Sequence, residues 1–394
     1  MRFIQTSITK QQPMIRLAFL LLLLTSILAS CSEPKKLSPL DQKLTSLLDS
    51  LREKSDYPGV VFAYVDSLGK THTITSGWAN MEDSVKMTGD HLLHSGSTGK
   101  VIVSAVTMQL VSEGQLDLDE LMKAYIGDYD WYDRIPNADS ITLRHLLQHT
   151  SGMERYEFKE AFIEDLHKNA ERVWTPEDLI FYVLDDEPLF SAGTDFAYAD
   201  TNYILVGMII EKVTGQKFYD LAYQRVLQPL GLTSFTPTNT RKVPNMAQGY
   251  FDPESEYALG FKSPFLNDDR TQNNMQWEWT GGGYAYKTSE YAELLKFVYE
   301  GHVFDMKTTG DDYFGFVPSA EIGGEYALGV HKLTFPNLGE FIGHGGFFPG
   351  YNTMGLYHPK SGMSFAMQIN ITDLPQLRAF FGDYLMMVGT VKKG

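Results

Sequence analysis

The sequence predicts a two-lobed chain of mixed class, α/β plus all-α. A sheet begins near the N-terminus, roughly the last hundred residues complete it, and a mainly helical lobe is inserted between. Three observations point there. Strand-like apolar runs stand at residues 59–77 and again beyond 326. Between about 101 and 275 the apolar residues instead recur with helical spacing. The chain has 394 residues, 43% of them hydrophobic and 21% charged, which is globular composition with enough length for a large core.

The elements follow in order. Leucines spaced from Leu40 to Leu51 suit an amphipathic helix. Gly59–Val65 reads as a strand, Ser67–Lys70 as a turn and Thr71–Gly77 as the returning strand. Helical patterns then run over Val101–Glu113, Ile141–His149, Pro176–Leu184, Thr201–Thr214 and Phe218–Leu227, and over Ser289–Tyr299 after the glycines at 281–283. Tyr326–Leu333, Glu340–Ile342, Tyr351–Tyr357 and Met363–Asn370 read as strands, and Leu374–Val388 as a closing helix. The resulting division is 40–95 with 285–394 as the α/β lobe and 96–284 as the helical lobe. The cleft between lobes is a common place for a substrate.

The first thirty residues are read as a leader. Arg16 precedes an apolar run from Leu17 to Leu28, the length of a signal-peptide core and short for a membrane span. Leu28-Ala29-Ser30-Cys31 resembles the bacterial lipobox, which would make Cys31 the lipidated first residue of a membrane-anchored, extracytoplasmic envelope protein. An ordinary secretory signal, with Cys31 incidental, is the alternative. Met14 is a possible second start. Residues 31–39, with Ser32-Glu33-Pro34-Lys35-Lys36, read as a tether. The formal charge of the chain is −16; beyond the leader, whose charges are Arg2, Lys10 and Arg16, it is −19. So acidic a chain argues against nucleic acid as a partner but not against an acyl anchor, which inserts by apolar burial. Cys31 is the only cysteine, and the ten histidines show no H-E-x-x-H or comparable spacing. Neither a metal nor a cofactor is expected.

Chemistry enters at Ser97-Thr98-Gly99-Lys100. Residues three apart share a helix face, so the Lys100 amine can take a proton from the Ser97 hydroxyl as it attacks a carbonyl. The spacing also occurs at Ser7/Lys10, Ser32/Lys35 and Ser67/Lys70, but only Ser97 opens an apolar helical run, Val101–Val111. Three further segments keep a definite order: Ile141-Thr142-Leu143-Arg144-His145-Leu146-Leu147-Gln148-His149-Thr150-Ser151-Gly152-Met153, then Phe196-Ala197-Tyr198-Ala199-Asp200-Thr201-Asn202-Tyr203, then His344-Gly345-Gly346. On these segments nearly all of the chain after its leader resembles the serine β-lactamase/D,D-peptidase superfamily. The likeness is to its branch of class C enzymes, D-alanyl-D-alanine carboxypeptidases and related esterases.

The resemblance implies a β-lactamase/transpeptidase-like fold, with an antiparallel sheet flanked by helices, and a serine hydrolase acting on an amide or ester. Candidate substrates are a D-alanyl peptide, a small ester or a β-lactam. It makes Ser97 the nucleophile, Lys100 its activator and Tyr198 a proton relay. It sets Asp200, His344, Gly346 and Phe347 at the substrate, with the Ser97 and Phe347 N–H groups as the oxyanion hole. Two positions depart from the usual pattern. Asp200 stands where the family carries Asn, and an ionised carboxylate there would hold Lys100 protonated, against its role as base. His344 stands where the family carries Lys, so its pull on an anion is weaker. Plainer roles stay open: Ser97 or Asp200 as a helix N-cap, Lys100 as a surface lysine, Tyr198 as packing, His344 as a structural hydrogen-bonder. A binding or sensory protein with the same fold and no turnover is the alternative function. Trp174, Trp277, Trp279 and Tyr156 are read as aromatic walls of the cleft.

Overall fold

In the computed structural model, the described residues are 38–55, 57–254, 258–265, 270–336 and 338–372. The leader, Cys31, most of the tether and the closing helix expected over Leu374–Val388 lie outside them.

Among the described residues the main sheet has nine strands and every pairing in it is antiparallel. From edge to edge they are Val85–Lys86, Thr71–Asn80, Gly59–Val65, Met363–Ile369, Tyr351–His358, Gly339–Phe348, His331–Phe335, Glu325–Tyr326 and Val317–Pro318. The expected antiparallel sheet is therefore present, and the two ends of the chain interleave in it. Gly59–Val65 and Met363–Ile369 pair directly, with Ala63 opposite Ala366, and both are buried along their whole length. Their unbroken apolar character reflects burial on both faces. The helix Thr288–Tyr299 packs on these central strands.

Two helices carry the chemistry-bearing residues, and both are buried almost all round, as apolar sequence on every face requires. Lys100–Ser112 is buried from Lys100 through Met108. Asp200–Thr214 is buried from Asp200 through Ile210 and ends at Gly215, whose φ of 69° gives the left-handed cap that glycine favours. The two helices pack on each other. A second sheet of three short strands, Leu93–His94, Tyr284–Tyr286 and Thr236–Pro237, lies beside the segment that precedes Ser97.

Two readings are corrected. Tyr326–Leu333 is not one strand. Glu325–Tyr326 and His331–Phe335 pair as a hairpin closed by the Ala327 N–H on the Val330 carbonyl, with Gly329 at φ 72°. Three of the four expected wall residues are core residues only: Trp174 packs on Phe162, Trp279 on Phe218, and the Tyr156 hydroxyl donates to the Trp277 carbonyl at 2.6 Å, while Trp277, also buried, lines a small cavity with Phe348 and Tyr351.

Candidate active site

Ser97 lies in a 3-10 turn, Gly96–Gly99, that leads straight into the Lys100 helix. The two side chains face each other, and the Lys100 Nζ donates to the Ser97 Oγ at 2.9 Å. Ser97 caps no helix in this arrangement, and it is partly exposed. Lys100 is fully buried and so is no surface lysine. Its ammonium also donates to the Asp200 carboxylate and to the Gly281 carbonyl. Asp200 is the first residue of its helix, with Ala199 at the capping position, and it makes no cap hydrogen bond. Its carboxylate is the counter-ion of Lys100.

Tyr198 stands beside this pair, its ring 5.1 Å from the Lys100 Nζ. The segment ending in His149-Thr150-Ser151 holds it there. His149 takes a left-handed backbone, φ 57°, and its ring packs tilted against the Tyr198 ring, centroids 4.1 Å apart. The His149 carbonyl accepts the Ala197 N–H, and its ring Nδ1 accepts the Ala199 N–H at 3.2 Å. The buried Tyr198 hydroxyl has no partner of good hydrogen-bond geometry among the described residues. Burial pushes its pKa up, while Lys100 and Ser97 lie close enough to pull against that push.

The third side comes from the strand Gly339–Phe348. His344 is buried, its Nε2 2.7 Å from the Tyr326 hydroxyl and its Nδ1 on the Gly345 carbonyl. Its ring centroid lies 6.3 Å from that of Tyr198. Burial, with help from Lys100, pushes its pKa down to about 3, so the imidazole is neutral. The charge at this place is therefore absent rather than weakened. Gly346 and Phe347 run directly against the turn that carries Ser97. A Cβ on Gly346 would lie 2.1 Å from the Ser95 carbonyl oxygen, and one on Gly96 would lie 2.4 Å from the Phe347 nitrogen. Glycine at both positions lets backbone meet backbone. All seven of the residues expected here from Ser97 to Phe347 thus gather around one partly exposed hydroxyl.

Sequence reasoning missed the charges behind them. Arg155 pairs with Glu157 at 2.7 Å, and its guanidinium lies 5.6 Å from the Tyr198 ring. Burial would raise the Asp200 pKa, but Lys100 and then Arg155 override it and hold it at about 2. Glu157 goes the other way. Burial, reinforced by Asp200 and restrained by Arg155, pushes it up to about 7. Burial alone would lower the Lys100 pKa, but Asp200 and Tyr198 outweigh it and the net shift is upward. Lys100 is thus an ammonium in this geometry. Gly281 also went unread as a ligand of Lys100. The only signal was its glycine run, which carries no side chain to suggest a role.

The Beta-lactamase family model matches residues 44–380 of this chain. Penicillin-binding protein 4* of Bacillus subtilis (strain 168) is 24% identical over 322 residues, 79% of this chain and 67% of that protein. Penicillin-binding protein 4 of Amycolatopsis lactamdurans is 32% identical over 185 residues, 47% of this chain; the match spans 46% of that relative's length. Among solved structures, the D-amino acid amidase from Ochrobactrum anthropi SV3 complexed with D-phenylalanine superposes with a TM-score of 0.77 at 22% identity. The match covers 90% of this chain and 100% of the amidase, and it is a likeness of fold.

Proposed function

This chain belongs to the Beta-lactamase family, and from that premise we propose that it is a serine hydrolase that cleaves an amide or ester through an acyl-enzyme on Ser97. The observation that carries the reading is the contact of 2.9 Å between the Ser97 Oγ and a buried Lys100 ammonium, beside the buried hydroxyl of Tyr198, which has no partner of good geometry among the described residues. A serine hydroxyl needs an activating neighbour to attack a carbonyl. Here the neighbour is cationic. Lys100 therefore orients Ser97 and favours negative charge on its oxygen, while Tyr198, a neutral phenol, relays the proton: its oxygen takes the Ser97 proton as its own hydroxyl proton passes to the leaving group. The substrate carbonyl oxygen sits at the Ser97 and Phe347 N–H groups, where removal of one such donor typically costs about 2.7–4 kcal/mol of barrier.

The charges also favour some substrates over others. His344 is neutral, Lys100 is paired with Asp200, and Arg155 is paired with Glu157. None of these three offers an unpaired cation to a substrate carboxylate. Small esters and amides, of which amides are the class in the name of the D-amino acid amidase of similar fold, suit such a site better than β-lactams or peptides with a terminal carboxylate.

A reading without turnover has one observation in its favour: a lysine held as ammonium is a poor base for deacylation. One experiment separates the two. The purified protein and its Ser97→Ala variant are incubated with a fluorophosphonate probe, a fluorescent penicillin, chromogenic esters and D-amino acid amides. We expect covalent labelling and turnover of at least one ester or amide, both abolished in Ser97→Ala. Labelling without turnover of any substrate establishes the sensory reading. Equal activity in Ser97→Ala removes Ser97 as nucleophile.

A further inference from the structure

Behind the Ser97 turn lies a second pair of titratable groups that the proposed chemistry does not use. His94 ends the short strand Leu93–His94, paired with Ala285 on Tyr284–Tyr286. Its ring is fully buried and stacks on Phe348 at 3.7 Å. The ring Nδ1 accepts the Gly96 N–H at 3.0 Å. Burial pushes the His94 pKa down to about 3, so the imidazole is neutral and carries one hydrogen. Since Nδ1 accepts, that hydrogen is on Nε2. The Nε2 lies 3.2 Å from the Oε2 of Glu278, a carboxyl that is 3% exposed. The two buried atoms are neighbours by distance, and neither makes a hydrogen bond of good geometry, with the other or with any further described residue.

The two residues sit on opposite supports of the site. His94 holds Gly96, whose φ of 50° sets the direction in which the chain enters Ser97. Glu278 opens the turn Trp279–Gly281, and its own carbonyl accepts the Gly281 N–H at 2.6 Å. The Gly281 carbonyl in turn holds the Lys100 ammonium. This contact therefore joins the backbone that presents Ser97 to the backbone that anchors the lysine, beside the Ser95 hydroxyl, which bonds the Gly282 and Tyr284 carbonyls.

We propose that His94 and Glu278 are positioning residues for acylation: their contact keeps the Ser97 N–H aimed at the oxyanion and the Gly281 carbonyl set against Lys100. The inference rests on Ser97 being the nucleophile. Its effect falls on the transition state, because the oxyanion exists only there, so it acts on kcat and on labelling rate rather than on KM.

The test compares wild type with His94→Leu, His94→Asn, Glu278→Leu and Glu278→Gln. The readouts are the second-order rate of fluorophosphonate labelling, kcat and KM for the best ester, and the thermal midpoint. His94→Leu, which leaves the Gly96 N–H without its acceptor, is expected to label about tenfold or more slowly, since small misplacements at a site cost up to about a hundredfold. KM stays within about twofold. His94→Asn offers an amide oxygen near the place of Nδ1 and is expected to recover most of the rate. Glu278→Leu is expected to follow His94→Leu, and Glu278→Gln, which keeps an acceptor for Nε2–H, to stay near wild type. Wild-type labelling rates in folded His94→Leu or Glu278→Leu protein overturn the proposal, as do equal losses in His94→Leu and His94→Asn at unchanged thermal midpoint. If His94→Leu does not fold, the Glu278 pair decides alone. Wild-type protein that is not labelled, or is labelled equally in Ser97→Ala, instead overturns the hydrolase reading on which this rests.

Discussion

Asp200 is the residue that sets this site apart from one with an amide at the same place. An asparagine would offer Lys100 an acceptor without a charge, and burial would then draw the lysine toward its neutral form. With Asp200 ionised, the same burial is overridden and Lys100 remains an ammonium. Its folded pKa stands above the ordinary value of 10.5, so the cation persists through neutral pH and is lost only above the usual lysine range. We therefore expect Asp200→Asn to move the alkaline rise of ester turnover to lower pH by about one unit or more, each unit being about 1.4 kcal/mol between protonation states. The pH–rate profiles of wild type and variant provide the check. Superimposable profiles would show that Asp200 does not govern the protonation of Lys100.

The elements differ in how much of them the residues disclosed. Gly59–Val65 and Thr201–Thr214 were legible almost to the residue, because an apolar run bounded by turn residues and a long helical period are both strong local signals. The strand Gly339–Phe348 was read only at Glu340–Ile342. Gly343, Gly345 and Gly346 have little intrinsic preference for a strand, and what makes them strand is tertiary: Gly343 lies against the Gly355 carbonyl of the next strand, and the turn around Gly96 crosses Gly346 with no room for a side chain. The same close crossing yields a prediction. Gly346→Ala would place its Cβ 2.1 Å from the Ser95 carbonyl oxygen and 3.0 Å from the Thr98 methyl. The strand and the nucleophile turn must then part. We expect a loss of about 1–3 kcal/mol in stability, as for other overpacked sites, together with a larger loss in acylation rate, since Phe347 moves with the strand. Chemical denaturation and fluorophosphonate labelling measure the two. A variant that labels at the wild-type rate would mean that the oxyanion donors do not depend on this crossing.

At the scale of the whole molecule, the site is a set of titratable groups drawn from distant parts of the chain: Lys100, Arg155 and Asp200, which carry charge, and Glu157 and Glu278, whose pKa burial raises. Sequence reading reached Lys100 and Asp200, because each lies in a short motif. It did not reach Arg155, Glu157 or Glu278, which have no motif and look like ordinary polar residues until folding buries the two carboxyls and sets the half-buried Arg155 beside Glu157. Their burial makes stability depend on pH in a way that can be worked out for Glu157. Its folded pKa of about 7 stands above the ordinary 4.5. Between those values the folded protein keeps a proton that the unfolded chain has released, so stability falls as pH rises across that window. The contribution is complete below about 4.5 and gone above about 7, and a shift of this size corresponds to roughly 3 kcal/mol. His94 and His344 act oppositely: held at about 3 against an ordinary 6.5, they withdraw stability as pH falls. Comparing Glu157→Gln with wild type cancels the histidines, which both proteins share. The variant keeps a neutral side chain at every pH. We expect its thermal midpoint to gain on wild type steadily between about pH 4.5 and pH 7 and to hold that gain above, read by calorimetry in matched buffers. A difference that stays constant across the range would mean that Glu157 is ionised throughout and that Asp200 does not share its site with a neutral acid.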